Sequence, residues 1–339
     1  MGSQPSKTEN VEERNGDKSV VKHEGVLGEG AFGKVYEGYI KSNPSKKVAI
    51  KQFSRYNDYR YELNIAQALR THYKSGCPSY ILCMIDHFED IYDDKYYIVY
   101  KKADQSLADY MTSLGAKKRG RSVATASNNV NTSYINNLKD SDIYSVINTL
   151  VVILEKLERL KISHRDIKMS NILIENGVPV NIILGDLGMM CRHRGSPIRF
   201  EDCKRSHGGT DDFLAPWYYS TLKRNRYVSD EYSTWQDIYA TGATLYSFLS
   251  GFIPSLDKKS PMLNFNRDIR PTIGGKKYRI PKKVINDLVN TMVFSTNLDE
   301  ALEYKKIWKK YKNINKKARS KSNDEPSLKE GKTEYVIIE

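Results

Sequence analysis

Carboxylate, lysine and carboxamide side chains are concentrated in one short stretch of the 339-residue chain. In Ser-His-Arg-Asp-Ile-Lys-Met-Ser-Asn, residues 163–171, Asp166 stands two residues before Lys168 and five before Asn171. A further carboxylate, Asp186, follows within Gly-Asp-Leu-Gly. A carboxylate can orient a hydroxyl group, a lysine can neutralise a phosphoryl group, and amide and carboxylate oxygens suit Mg²⁺. This set of residues is therefore suited to phosphoryl transfer.

The run resembles the catalytic loop of eukaryotic-type protein kinases, and Asp-Leu-Gly resembles their metal-binding Asp-Phe-Gly. The resemblance implies that Asp166 orients the substrate hydroxyl and accepts its proton, and that Lys168 steadies the transferred phosphoryl group. It also implies ATP as the donor, with Mg²⁺ held by Asn171 and Asp186. A lysine at position 168 resembles Ser/Thr kinases, because tyrosine kinases usually have Ala or Arg nearby. The implied partner is a protein substrate.

A glycine-rich stretch precedes this loop, with Gly28, Gly30 and Gly33 between Leu27 and Val35. Glycines can mark simple turns, but they also let backbone N–H groups approach phosphates. A dinucleotide-binding fold would place a helix directly after the glycines, whereas residues 34–40 read as a strand. The pattern favours the kinase loop, in which Leu27 and Val35 would contact the nucleotide and Val35 would cover one face of the purine.

Lys51 ends the string Val-Ala-Ile-Lys, which reads as a strand. An exposed strand lysine is the alternative, but the spacing from the glycines resembles that of kinases. By this resemblance Lys51 contacts the α- and β-phosphates and pairs with a helix glutamate. Glu62 is the sole glutamate between Lys51 and Glu89. Its separation from Lys51 is short for the family, which predicts an abbreviated loop.

The adenine side of the site is also assigned by resemblance. Ala49 would contact the nucleotide from the strand that carries Lys51. Tyr100 would lie beside the base, and Lys101 to Ala103 would form the hinge whose backbone hydrogen-bonds it.

The segment 189–210 resembles a kinase activation segment, and residues 208–217 resemble its substrate-binding end. It contains Ser206, a candidate phosphosite whose phosphate Arg165 could pair with. Two positions depart from the family pattern, because Leu187 replaces the usual Phe and Trp217 replaces the Glu after Ala-Pro. In the family that Glu forms an ion pair with a buried arginine, which Trp217 cannot do. These departures motivate the alternative of a pseudokinase scaffold. A third reading, a small-molecule phosphotransferase, is disfavoured by Gly-Thr-x-x-Phe-x-Ala-Pro, which binds peptide in the family.

The predicted fold is α+β and bilobal, with a small β-rich lobe at about 21–103 and a larger helical lobe at about 104–312. Apolar residues recur at three- and four-residue spacing from Asp142, which predicts a long core helix. Residues 112–139 read as a mobile surface insertion. Residues 1–20 read as a flexible leader, and 313–339 as a basic, flexible tail.

Net charge is +13, from 54 basic and 41 acidic residues, and predicts a basic surface. No zinc, helix-turn-helix or RNA-binding signature accompanies it, so no specific nucleic-acid partner is expected. Gly2 and Ser6 fit an N-myristoylation pattern. One acyl chain binds membranes weakly, and the lysine-rich stretch 305–321 could supply a second signal. The expected location is cytoplasmic, with peripheral membrane contact as a further possibility.

The four cysteines, Cys77, Cys83, Cys191 and Cys203, form no Cys-x-x-Cys pair. The spacing argues against structural zinc and predicts free thiols in a reducing compartment.

Overall fold

The computed structural model describes residues 9–11, 20–30, 32–74, 78–90, 93–119, 132–175, 180–203, 209–218, 220, 228–254 and 280–322. Within these ranges, the N-terminal region is a sheet with one helix and the remainder is mainly helical. The predicted α+β class, with a small β-rich lobe and a larger helical lobe, is confirmed.

The sheet of the small lobe is antiparallel, with the strand order β1-β2-β3-β4-β6-β5. Its strands are β1 (Glu9–Val11), β2 (Val20–Gly30), β3 (Gly33–Ile40), β4 (Asn43–Phe53), β5 (Met84–Asp90) and β6 (Lys95–Lys101). Helix α1 (Tyr56–His72) begins three residues after Phe53. The abbreviated loop predicted before Glu62 is therefore present.

The larger lobe is built mainly from helices that follow this sheet. Its elements are β7 (Gln105–Ser106), α2 (Leu107–Ser113), β8 (Lys117–Arg119), α3 (Thr132–Asn137), α4 (Asp140–Arg159), β9 (Ile162–Ser163), β10 (Ile172–Glu175), β11 (Asn181–Leu184), β12 (Cys191–Arg192), α5 (Asp230–Ser250), β13 (Phe252–Pro254), α6 (Lys282–Phe294), α7 (Leu298–Leu302) and α8 (Tyr304–Ser322).

Helices α4 and α5 are the centre of the large lobe. Acidic residues in the first turn of α4 and basic residues in its last turn suit the helix dipole. Helix α5 begins after Ser229, whose side chain accepts a hydrogen bond from the Tyr232 N–H, and ends at Gly251 in the left-handed region. Gly242 lets α6 approach α5 closely, because an added Cβ would lie 2.6 Å from the Met292 Cβ. A continuous apolar core joins α1, α4, α5 and the C-terminal helices.

Two predicted flexible regions are partly ordered. Residues 9–11 of the leader pair with residues 20–22 as the edge strand β1, so the leader prediction is wrong there. The end of the presumed surface insertion contributes Tyr134, Ile135 and Leu138 to the core. The sequence did not predict helix α3 (Thr132–Asn137), because three apolar side chains at the end of a polar stretch are too few to show a helical period. Residues 1–8, 12–19, 120–131 and 323–339 lie outside the described residues.

The prediction of free thiols is wrong for the cysteines that the structure describes. Cys191 and Cys203 form a disulfide with a Cα–Cα distance of 4.9 Å, and Cys83 is disulfide-bonded too. The cysteines of the first pair lie 12 residues apart, and the fold brings them together. Among the described helices, none combines the length and apolarity needed to cross a membrane.

Candidate active site

The backbone of the loop after β9 is held by a buried carboxylate. Asp237, on α5, accepts hydrogen bonds from the backbone N–H groups of His164 and Arg165, each at 2.7 Å. Burial raises the pKa of Asp237 to about 7, although these donors and the Arg165 charge act in the opposite direction. The loop needs this anchor because Arg165 has a φ of +66°, a conformation that is costly for a residue with a Cβ.

Four donated hydrogen bonds orient the Asp166 side chain. Its Oδ1 accepts from the N–H of Thr210 at 2.9 Å and from the Thr210 hydroxyl at 2.7 Å. Its Oδ2 lies 2.8 Å from Asn171 Nδ2 and 2.9 Å from Lys168 Nζ. Lys168 also donates to the Thr210 hydroxyl at 2.6 Å. The carboxylate is thus fixed in orientation, and its Oδ1 is in contact with the Thr210 hydroxyl.

Lys51 bridges two carboxylates across the cleft. Its Nζ lies 2.6 Å from Glu62 Oε2 and 2.8 Å from Asp186 Oδ1. Burial alone would lower the pKa of Lys51, but Asp186 and Glu62 outweigh it, so the pKa is raised and the ammonium group stays charged. The predicted pairing with Glu62 is therefore present as a contact, despite the short sequence separation.

The two carboxylates that share Lys51 differ in their electrostatics. Burial raises the pKa of Glu62, and this effect exceeds the opposing influence of the Lys51 charge. Burial also acts to raise the pKa of Asp186, but the Lys51 charge outweighs it and lowers that pKa to about 2. Asp186 is the more firmly ionised of the two carboxylates, because water stabilises the charged form and the Asp186 side chain is 30% exposed. The Glu62 side chain is only 1% exposed. An ionised carboxylate at the cleft surface is the form that a metal ion requires.

The glycine-rich stretch forms the hairpin between β2 and β3, with Gly30 paired to Gly33. An added Cβ at Gly33 would lie 1.9 Å from the carbonyl oxygen of Gln52, so only glycine fits there. By contrast, a Cβ at Gly28 or Gly30 would have no neighbour within 4 Å. Protein packing therefore does not explain these two glycines, and they leave open space in which a ligand could approach the backbone.

The strand register places the remaining nucleotide-contact candidates around the same cleft. Val35 pairs with Lys51, and Ala49 pairs with Tyr100. Leu27 is 49% exposed and thus has an apolar surface that the described protein does not cover. The Lys101 ammonium group pairs with Glu175 at 2.8 Å, so its side chain is directed to an ion pair. Any base contact from Lys101 or the half-buried Ala103 would come from the backbone.

The donor set fits a magnesium nucleotide. Asp186 offers carboxylate oxygens and Asn171 an amide oxygen, which are hard ligands suited to Mg²⁺. The Asn171 Nδ2 donates to the carbonyl and carboxylate of Asp166, and this orientation leaves the amide oxygen as the ligand atom. The Lys51 ammonium group has the charge that phosphate oxygens require.

The sequence profile of the protein kinase domain matches residues 21–321. The chain belongs to the protein kinase family. Similar proteins include serine/threonine-protein kinase SBK1 of Danio rerio, 35% identical over 108 residues, which are 32% of this chain and 26% of that protein. The serine/threonine-protein kinase stk11 homolog of Dictyostelium discoideum is 28% identical over 275 residues, 78% of this chain and 40% of that protein.

Probable serine/threonine-protein kinase zyg-1 of Caenorhabditis elegans is 25% identical over 240 residues, 70% of this chain and 28% of that protein. The kinase chain spans less than half the length of each of these relatives.

Trp217, which stands where the kinase family has a glutamate, is held by contacts of a different kind. Trp217 stacks on Trp235 of α5 with ring centroids 3.7 Å apart and an interplanar angle of 19°. The Trp235 Nε1 donates to Ser295 at 2.9 Å. Gln236 accepts from the Ala215 N–H and donates to the Phe213 carbonyl. Aromatic stacking and an amide therefore anchor the end of the activation segment where the family uses an ion pair.

The other predicted residues divide into two groups. Leu187 is buried at 1% exposure and adds apolar bulk to the core. Gly2 and Ser206 lie outside the described residues. The sequence reading omitted Thr210 from the candidate site and did not assign a contact between Tyr100 and Glu62. Thr210 lies in the Gly-Thr segment, so its proximity to Asp166 had a sequence signal.

Proposed function

We propose that this kinase domain transfers the γ-phosphoryl group of ATP, with Mg²⁺, to serine and threonine hydroxyls of protein substrates. The observation that carries the proposal is the Asp166 carboxylate, which Lys168, Asn171 and the Thr210 hydroxyl orient. The Lys51–Asp186 pair lies near it, because the charge of Lys168 also acts on Asp186. The names of the similar proteins support serine and threonine as the acceptors.

In this mechanism, Asp166 orients the substrate hydroxyl and receives its proton as the new phosphorus–oxygen bond forms. The bond between the γ-phosphorus and its bridging oxygen breaks, and ADP is the leaving group. Lys168 neutralises charge on the moving phosphoryl group, and Lys51 binds oxygens of the phosphates that stay behind. Held by Asn171 and Asp186, Mg²⁺ would supply further positive charge to the phosphate oxygens.

The test is a phosphorylation assay on the purified chain with Mg-ATP and a basic protein substrate, followed by phosphoamino-acid analysis. We expect phosphoserine and phosphothreonine in the product. Asp166→Asn should lower kcat by roughly 10²–10⁴-fold, the range for loss of a general base, while it keeps nucleotide affinity. Phosphotyrosine as the main product would contradict the acceptor assignment.

The alternative of a pseudokinase scaffold makes a different prediction for the same assay. A scaffold would bind nucleotide, detected as a rise in melting temperature, but would transfer no phosphate above the Asp166→Asn control. We favour catalysis because the chain retains Lys51, Asp166 and Asp186, with Lys51 in contact with Asp186 and Lys168 in contact with Asp166.

We also propose a cytoplasmic location with weak, electrostatic contact to anionic membrane surfaces. Lys306, Lys309, Lys310 and Lys312 on α8 are exposed, whereas Trp308 and Tyr311 are buried against the core. The aromatic residues of this helix are thus engaged in the fold, and the lysines offer charge alone. N-myristoylation at Gly2 would add a second, apolar contribution.

A further inference from the structure

A group of metal-ligating side chains lies where the activation segment meets the first residue of α5. One potential ligand atom each from His193, Cys203 and Asp230 falls within 4.8 Å of the others. Cys191 is joined to Cys203 by the disulfide. Both cysteines and His193 are buried, at 0%, 4% and 7% exposure, and Asp230 is partly buried.

Separate elements bring these residues together. Cys191 lies on β12 opposite Ser163 of β9. The chain then turns back, and the Cys203 N–H donates to the Arg192 carbonyl at 3.0 Å. Asp230 is the first residue of α5 and accepts from the Arg194 N–H at 2.9 Å. The cluster is therefore built by backbone pairing as well as by the disulfide.

We propose that Cys191 and Cys203, once reduced, bind one zinc ion together with His193 and Asp230. Two thiolates, one imidazole and one carboxylate make a four-ligand set that suits tetrahedral zinc. His193 Nε2 contacts the Ser163 hydroxyl at 2.8 Å, which leaves Nδ1 for the metal. Ligating histidines usually have such a partner on the second ring nitrogen. With all four positions filled by protein, the site is structural.

The charge of this ligand set is compatible with the surroundings. Two thiolates and one carboxylate carry three negative charges against two positive charges on zinc. The remaining negative charge lies close to Lys161 and Arg165, whose charges act on His193. The complex thus needs no further counter-ion.

The structure corresponds to the oxidised form of this site. Reduction requires two electrons and two protons from a cellular dithiol, which becomes a disulfide as the Cys191–Cys203 bond breaks. Zinc then displaces the two thiol protons, which pass to solvent, and forms two zinc–sulfur bonds. Disulfides persist in oxidising compartments, and thiols are kept reduced elsewhere. In an oxidising compartment the disulfide would join Cys191 to Cys203, and in a reducing compartment the zinc ion would hold them together.

The test uses the full chain, reduced without oxygen by a phosphine reagent and then dialysed against zinc. We expect about one zinc per chain by elemental analysis, as the four-ligand site requires. Substitution of Co²⁺ should give the sulfur-to-metal charge-transfer band and the visible bands of a tetrahedral thiolate complex. The oxidised chain should bind zinc far more weakly.

Matched variants separate this site from incidental thiol binding. Cys203→Ser and Asp230→Asn each remove a direct zinc ligand. Loss of a residue that only hydrogen-bonds a ligand lowers metal affinity roughly 10–100-fold, so these two variants should lower it further. Cys83→Ser removes a thiol elsewhere and should keep the affinity and the cobalt spectrum. Asp230→Asn retains an oxygen acceptor for the Arg194 N–H, so it tests the site if Cys203→Ser fails to fold. Equal zinc affinity in the wild type and Asp230→Asn, or no zinc in the reduced wild type, would overturn the proposal.

Discussion

Tyr100 contacts the side of Glu62 that faces away from Lys51. Its hydroxyl donates to Glu62 Oε1 at 2.8 Å in a buried environment. The hydroxyl therefore satisfies the second oxygen of a carboxylate whose first oxygen binds Lys51. A residue predicted to lie beside the base also positions the helix glutamate.

We expect Tyr100→Phe to destabilise the chain by about 1–3 kcal/mol, the range for leaving a buried polar group without its hydrogen-bond partner. The phosphoryl-transfer rate should fall as well, because Glu62 holds Lys51 less firmly. Denaturant unfolding and steady-state kinetics measure the two effects. Tyr96→Phe is the control, because Tyr96 lies on the same strand as Tyr100 and its hydroxyl bonds the exposed Asp94 in the preceding turn. Equal losses in both variants would contradict the assigned role.

The buried environment of His164 leads us to predict a pH dependence of stability. Its Nε2 donates to the Gly185 carbonyl at 2.9 Å, and its Nδ1 accepts from the Asp166 N–H at 3.3 Å. Burial lowers its pKa below the ordinary 6.5, against the attraction of Asp166 and Asp186. The neutral ring is thus the native form.

The contribution of His164 to the free energy of unfolding should fall as the pH drops below about 6.5, because the unfolded chain then binds a proton that the buried ring does not. Above that pH this contribution is fully present. Denaturant unfolding between pH 5 and 8 measures the effect. His164→Gln should flatten the curve, whereas His72→Gln, at an exposed position on α1, should not. A similar slope in both variants would exclude His164 as the source.

At the residue scale, sequence reading succeeded where residue type and order carried the information. Lys51 contacts Asp186, and Asn171 contacts Asp166, whereas the chemical roles of these four residues stay predictions. Contacts such as Tyr100–Glu62 and Cys191–Cys203 could not be read from spacing, because they depend on how separate elements pack.

The β2–β3 hairpin offers a comparison between two glycines of one element. Gly33→Ala should cost more than about 2 kcal/mol, because its Cβ would collide with the Gln52 carbonyl. Gly28→Ala should change stability by less than about 1 kcal/mol, because its Cβ meets open space. The second variant should instead weaken nucleotide binding, which calorimetry measures. Unchanged affinity in Gly28→Ala would argue that the nucleotide lies elsewhere.

The end of the activation segment is held to α5 by the Trp217–Trp235 stack. Trp217→Ala should destabilise the chain by about 2 kcal/mol, less than a fully buried tryptophan because Trp217 is partly exposed. Trp217→Phe should recover most of that loss, because it retains a ring. Unfolding followed by far-ultraviolet circular dichroism gives the comparison. A Trp217→Phe variant as unstable as Trp217→Ala would mean that stacking is not the source.

At the element scale, periodic patterns were the reliable signal. The core helix predicted from Asp142 is present as α4, because its apolar face repeats over several turns. Helix α3 is short and follows a polar stretch, so no periodicity identified it. Its position depends on tertiary contact, since Tyr134 donates to the Phe248 carbonyl and packs against Gly251.

For the whole molecule, the order of motifs along the chain determined the fold assignment. The glycine-rich hairpin, the strand lysine, the catalytic loop and the central helix appear in the family order, and the two lobes follow. The net charge of +13 indicated a basic surface but did not indicate which element carries it. The burial pattern of α8 supplies that information, because Lys306, Lys309, Lys310 and Lys312 face solvent.

We expect Lys309, Lys310 and Lys312 changed together to Gln to reduce binding to anionic vesicles several-fold per lysine at low salt. Co-sedimentation with vesicles measures the effect. The triple change of Lys41, Lys46 and Lys47 to Gln removes the same charge from exposed positions around the β3–β4 turn and is the control. Equal losses in both variants would indicate that net charge alone determines binding.

Two of the three tryptophans in the chain, Trp217 and Trp235, lie face to face, and the third, Trp308, lies on α8. Indole rings stacked this closely couple their electronic transitions, so the pair should give a paired positive and negative signal in circular dichroism. The signal would disappear if the end of the activation segment left α5. An optical measurement on the unlabelled protein could therefore follow that movement during turnover.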